Sequence, residues 1–197
     1  MTDHVTAEGS APAEAHWLNV PNALTALRLL LVPVFAWMLL SHPDDALWRW
    51  GAAIVFLIAS ITDIVDGKIA RKYGLVTRFG KLWDPIADKA LTGMALVGLS
   101  IIGELPWWIT IVILVREWGI TLLRFVILKY GVMAANRGGK LKTVFQSIAI
   151  VWYLLPLPNW LHLVGVGVMW VALLLTVVTG LDYCREAYLL RKKAQAA

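Results

Sequence analysis

Four aspartates are spaced so that they can act together. Asp63 and Asp66 stand three residues apart, and Asp84 and Asp88 four apart. On a helix each pair lies along one face, and Gly67 and Ala70 share the face of the first pair. A short stretch rich in Lys and Arg separates the pairs, so two antiparallel helices would bring all four carboxylates to one end. Four carboxylates that close cannot all ionise without a counter-charge. A divalent cation supplies it, and hard oxygen donors select Mg²⁺ or Mn²⁺ over zinc. Two metals about 3.5–4 Å apart would suit four aspartates and an in-line displacement at phosphorus. Gly67 and Ala70 leave a groove where a flat group could lie against the backbone, and Arg71 is placed to pair with a phosphate.

A second group is basic. Arg116, Glu117 and Arg124 fall inside an apolar segment, where an unpaired guanidinium is costly. Arg137, Lys140 and Lys142 flank Gly138-Gly139, read here as a loop whose backbone can approach a ligand closely. Together they suit an anionic acceptor such as a small phosphate. The plainer readings are an interhelical pair for the two arginines, and orientation or attraction to anionic lipid for the loop. Asn22, Thr25 and Arg28, at the start of the first apolar segment, are either ligand contacts or helix-start and snorkelling residues. His42 and His162 lie near turns, without spacing that suggests zinc.

The elements that must carry these groups are apolar. Of 197 residues, 59% are hydrophobic and 16% charged, with a mean hydropathy of +0.70. So small a soluble domain could not hide that much apolar side chain, and disorder is excluded. A single cysteine, Cys184, rules out an internal disulfide. The formal charge of +5 fits a bilayer and its anionic lipids better than nucleic acid.

Spans need about 20 mostly apolar residues, and six segments qualify or nearly so: 23–41, 47–70, 85–103, 107–129, 143–158 and 161–184. Residues 1–16 read as a disordered tail without the pattern of a cleavable signal, and 17–22 as a short interfacial piece. The six-helix domain covers 17–190 and a basic tail 191–197. Lys and Arg concentrate in 67–83, 129–142 and the C-terminal tail, whereas the other turns hold Arg49 beside Asp44, Asp45 and Glu104. The positive-inside rule then places both termini and the aspartates on the cytoplasmic side. The expected fold is an all-α integral membrane protein of six transmembrane helices with an N-terminal interfacial segment.

The order D-x2-D-G-x2-A-R-x8-G-x3-D-x3-D, from Asp63 to Asp88 with Gly80 at its centre, resembles the signature of the CDP-alcohol phosphotransferase family. Asn19 to Arg28, Val76 to Lys89, Arg116 to Arg124 and Asn136 to Thr143 are similar to the phosphatidylglycerophosphate synthases within it. The resemblance covers roughly residues 17–150 and implies a six-helix homodimer in the bacterial cytoplasmic membrane. It implies transfer of a phosphatidyl group from CDP-diacylglycerol to glycerol 3-phosphate with Mg²⁺ or Mn²⁺, releasing CMP. Asp63, Asp66, Asp84 and Asp88 would bind metal, with Asp88 also the proton acceptor. Asn22, Thr25, Gly67, Ala70, Arg71, Thr77 and Gly80 would hold CDP-diacylglycerol. Arg116, Arg124, Arg137, Lys140 and Lys142 would hold the acceptor phosphate. Inositol phosphate, or phosphatidylglycerol giving cardiolipin, is the nearest alternative acceptor. A cation transporter is the remote alternative, for which no repeated helix pair is found.

Overall fold

The computed structural model describes residues 20–73, 78–127 and 137–196. Among them are six helices and no strand: α1 (Val20–Ser41), α2 (Ala46–Lys72), α3 (Arg78–Ile101), α4 (Trp107–Ile127), α5 (Arg137–Leu154) and α6 (Asn159–Ala196). Local chemistry sets several of the ends. Asp45 caps α2, its carboxylate accepting from the Leu47 N–H at 2.8 Å. Gly103 closes α3 at φ +81°, a left-handed conformation that favours glycine. There the Glu104 and Leu105 N–H groups both return to the Leu99 carbonyl. Pro156 and Pro158 stop α5.

Side-chain contacts give the register of the bundle. Arg28 of α1 reaches Ala59 and Asp63 of α2, while the Phe35 and Phe56 rings lie 5.9 Å apart. Thr110 of α4 reaches Ser100 and Leu96 of α3. Both pairs are therefore antiparallel. α4 and α6 run parallel, with Trp108 against Trp170 and Arg116 against Thr179. The core draws Phe35 and Leu39, Phe56, Leu91 to Leu99, Ile109 and Ile113, Ile150 and Leu154, and Met169 and Leu173 from all six helices. Ala52, Ala53, Ala59 and Ala95 are buried in it, and such small side chains let helix backbones approach.

The outside is apolar as well. Leu30, Trp37, Ile58, Val115, Phe125, Ile148, Leu163, Leu174 and Leu181 are exposed, while Arg28, Lys142 and Gln146 are buried. Apolar residues outward and ionisable ones inward are what a hydrocarbon surrounding demands. Among the described residues two helices, Asn22–Ser41 and Asn159–Lys192, are long and apolar enough to cross a membrane by length and composition.

Several boundaries differ from the expectation. Residues 1–19 lie outside the described residues, and 20–22 form the first turn of α1 rather than a separate interfacial piece. α3 begins at Arg78, seven residues before the apolar segment. α5 begins at Arg137, so Gly138, Gly139, Lys140 and Lys142 are helical and not a loop. Helix continues through such stretches because Arg, Lys and Leu are good helix formers, whereas an apolar count stops at the first charges. For the same reason 191–196 continue α6 and do not form a separate tail. At 1.5 Å per residue, its 38 residues span about 57 Å, well beyond a hydrocarbon core of about 30 Å.

Candidate active site

The aspartates stand where α2 ends and α3 begins. Asp63 accepts from Arg28 Nη1 at 2.5 Å, and Arg28 Nε donates to the Ala59 carbonyl at 3.2 Å. Arg28 is 1% exposed, so it does not snorkel; it ties α1 to the acidic end of α2. Asn22 and Thr25, six and three residues before it, are buried on the same helix. Asp88 lies in α3, where the charges acting on it are those of Asp63, Lys89, Glu117 and Arg28. Gly67 is half-buried in α2. Thr77 lies outside the described residues. So do the side chains of Asp66, Ala70, Arg71, Asp84 and Arg137, and Gly80 is described only as part of α3. Asp63 and Asp88, contributed by two helices to one electrostatic neighbourhood, offer oxygen donors that fit a hard divalent cation.

The basic group assembles on α4, α5 and α6. Glu117 Oε1 receives both Arg116 Nη1, at 3.1 Å, and Lys142 Nζ. Arg116 Nη2 donates to Thr179 Oγ1 at 2.7 Å, and its Nε is buried without a hydrogen-bond partner among the described residues. Arg124 Nη2 donates to the Tyr183 hydroxyl at 2.8 Å, its guanidinium 4.8 Å from the centre of that ring. Arg116 lies over the same ring at 5.9 Å. Arg116, Glu117, Arg124, Lys142 and Tyr183 line a cavity of about 420 Å³ together with Lys89 and the exposed Lys140. Five cations thus face the single carboxylate of Glu117, which leaves the cavity strongly positive and suited to an anion. A smaller cavity of about 30 Å³ adjoins it, lined by Asp88, Thr92, Gln146 and Ser147 and sharing Lys89, Glu117, Lys142 and Thr143 with the larger one.

The structure therefore brings Arg116, Arg124, Lys140 and Lys142 around one space, next to Asp88. The plain reading of the two arginines as interhelical ties also holds in part, since each joins α4 to α6. Lys89, Tyr183 and Gln146 were not among the expected site residues. A polar residue inside an apolar segment was the available signal for Gln146. Tyr183 fell at the end of the last expected span, 161–184, and only the packing of α6 against α4 makes it a wall of the site.

The CDP-alcohol phosphatidyltransferase family matches residues 18–178. The chain belongs to that family. Among its relatives is the "Probable phosphatidylglycerophosphate synthase" of Mycobacterium tuberculosis (strain ATCC 25618 / H37Rv), 49% identical over 91% of this chain and 86% of the relative. The "CDP-diacylglycerol--glycerol-3-phosphate 3-phosphatidyltransferase" of Bacillus subtilis (strain 168) is 42% identical over 84% of this chain and 93% of its own length. The protein of the same description in Rickettsia typhi (strain ATCC VR-144 / Wilmington) is 40% identical over 84% and 94%. The match to this phosphatidyltransferase family spans both constellations, the aspartates of α2 and α3 and the basic residues of α4 and α5.

Proposed function

We propose that the protein transfers the phosphatidyl group of CDP-diacylglycerol to sn-glycerol 3-phosphate, giving phosphatidylglycerophosphate and CMP. The observation that carries this reading is the cavity of five cations beside Asp88, a shape and charge that fit a small phosphorylated alcohol. The relatives' activities point the same way. Arg116, Arg124, Arg137, Lys140 and Lys142 hold the acceptor phosphate. Asp88 takes the proton from the acceptor hydroxyl, and that oxygen forms a bond to the phosphorus bearing the diacylglycerol. The bond from this phosphorus to the bridging oxygen breaks, and CMP leaves with the electron pair.

Asp63, Asp66, Asp84 and Asp88 fit Mg²⁺ or Mn²⁺, two ions in this reading, and such ions supply neutralisation of the diphosphate charge. Arg28 fixes Asp63 for that task. Asn22, Thr25, Gly67, Ala70, Arg71, Thr77 and Gly80 hold CDP-diacylglycerol in this reading. In the same reading all six helices span the bacterial cytoplasmic membrane, both termini and the site face the cytoplasm, and the enzyme works as a homodimer.

CMP release by purified protein, given CDP-diacylglycerol and each acceptor in turn, tests the reading. Release dependent on glycerol 3-phosphate and on a divalent metal is expected. Release with inositol phosphate or phosphatidylglycerol instead would overturn the choice of acceptor, and no release with any would overturn the reaction.

A further inference from the structure

Gln146 lies in the middle of α5, one helical turn past Lys142, and is 3% exposed. Its Oε1 is fully buried and accepts no hydrogen bond among the described residues. Buried amides in natural proteins are nearly always paired, more so in an apolar surrounding, so an orphaned one lining a cavity is suited to a ligand. That cavity, about 30 Å³, has room for one or two water-sized groups and no more. Asp88 lines it too, and through the shared walls of Lys89, Glu117 and Lys142 it adjoins the basic cavity. A small alcohol with its phosphate among Arg116, Arg124 and Lys140 therefore extends its hydroxyl end toward Asp88 and Gln146.

We propose that Gln146 binds the second hydroxyl of the acceptor, the one that does not attack phosphorus, and thereby selects a phosphorylated diol. An amide can accept from a hydroxyl or donate to it, so either orientation of the side chain serves. The size of the recess admits the hydroxyl end of a small alcohol and excludes a polyol ring. A site built around a polar group discriminates against a substrate that leaves the group unpaired. This inference rests on the proposed acceptor and identifies the residue that reads it.

The test compares kcat/KM for sn-glycerol 3-phosphate with that for 3-hydroxypropyl phosphate, which keeps the phosphate and the primary hydroxyl but lacks the hydroxyl between. The wild-type protein should prefer glycerol 3-phosphate by about 5- to 150-fold, the range for one buried polar group left unpaired. In Gln146→Met the ratio should fall to within about threefold of unity, chiefly through loss of the glycerol 3-phosphate reaction. Gln146→Asn, which withdraws the amide by one methylene and perturbs packing less, should lower the ratio by about threefold or more. The ratio within one preparation is independent of how much protein is folded. Unchanged ratios in both variants, or no preference in the wild type, would overturn the role of Gln146 while leaving the reaction standing. Absence of CMP release with either acceptor would remove the proposed function and this inference with it.

Discussion

Arg49 and Arg116 are both arginines held largely inside the bundle, at opposite ends, and they are treated differently. Arg49 sits near the start of α2, where α3, α5 and α6 also end or begin. Its Nη1 meets Glu104 at 2.5 Å, its Nε donates to the Leu154 carbonyl at 3.2 Å, and its Nη2 donates to the Tyr153 carbonyl. Those carbonyls belong to the last turn of α5, which has no intrahelical donors left for them. His162 adds a contact to Glu104 at 4.0 Å and an edge-on packing against Tyr153. Every nitrogen of that guanidinium is used by the fold. Arg116 shares Glu117 with Lys142 and keeps its Nε without a partner among the described residues, at the wall of a positive cavity. Residue type alone says little about role. A buried cation whose donors are consumed by helix ends holds the structure, and one that walls a cavity among other cations is available to a ligand.

The largest effect expected at the open end is that of Asp88→Asn. Loss of a positioned base lowers kcat by about 10²–10⁴-fold. Binding of CDP-diacylglycerol, measured with the inactive variant, should change much less. Parallel loss of binding and turnover would make Asp88 chiefly a metal ligand.

Arg116→Gln and Arg124→Gln come next. Removing a charge-assisted bond costs about 1.5–3 kcal/mol, roughly 10–150-fold in kcat/KM for glycerol 3-phosphate, with the KM for CDP-diacylglycerol nearly constant. Tyr183→Phe keeps the ring under both guanidinium groups and loses the hydroxyl to which Arg124 donates, so its acceptor KM should rise less than in either arginine variant. An unchanged acceptor KM across all three would erase the contrast between the two ends.

Arg49→Leu should do the reverse. It strips the last carbonyls of α5 of their donors and leaves Glu104 without its closest cation, a loss of about 1.5–3 kcal/mol in stability. Assayed well below its melting temperature, the variant should keep kcat and both KM values within about twofold. A selective rise in acceptor KM would show that the closed end is coupled to the site.

The smallest effect is assigned to Lys140→Ala. Lys140 is exposed, and an exposed charge contributes about 0.2–1 kcal/mol, so kcat/KM should fall by roughly fivefold at most. The difference should shrink further in about 0.5 M KCl as screening shortens its reach. A salt-independent loss larger than tenfold would make the contact of Lys140 with the phosphate a desolvated one rather than one at the solvent-facing rim.

The placement of Asp63 in α2 and of Asp88 in α3 was legible because the apolar segments around them read as helix. The six helices and their order were legible because apolar runs and Gly, Pro and Asp turns punctuate the chain strongly. Helix ends that carry charge were not. The first turns of α3 and α5 and the last turns of α6 hold Arg and Lys, which stop an apolar count without stopping a helix. Gly138-Gly139 imitates a loop for a related reason, since glycine lowers helix propensity but does not forbid helix. The partner of Lys142 was equally hidden, because Glu117 could pair with any of several cations until α4 and α5 were set side by side.

The sequence by itself determined the class of chemistry, since residue identity supplies the carboxylates and guanidinium groups and helical spacing aligns them. It also determined which segments are apolar, because hydropathy is a local property. Only the tertiary structure decided that Arg28 belongs to Asp63, and that Arg49 is consumed by helix-end carbonyls while Arg116 keeps a spare donor. It likewise brought Tyr183 from the far end of the chain to wall the basic cavity, and set Gln146 beside Asp88. Those outcomes depend on which helix faces meet and at what register. Packing between distant segments sets them, and no local window of sequence contains it.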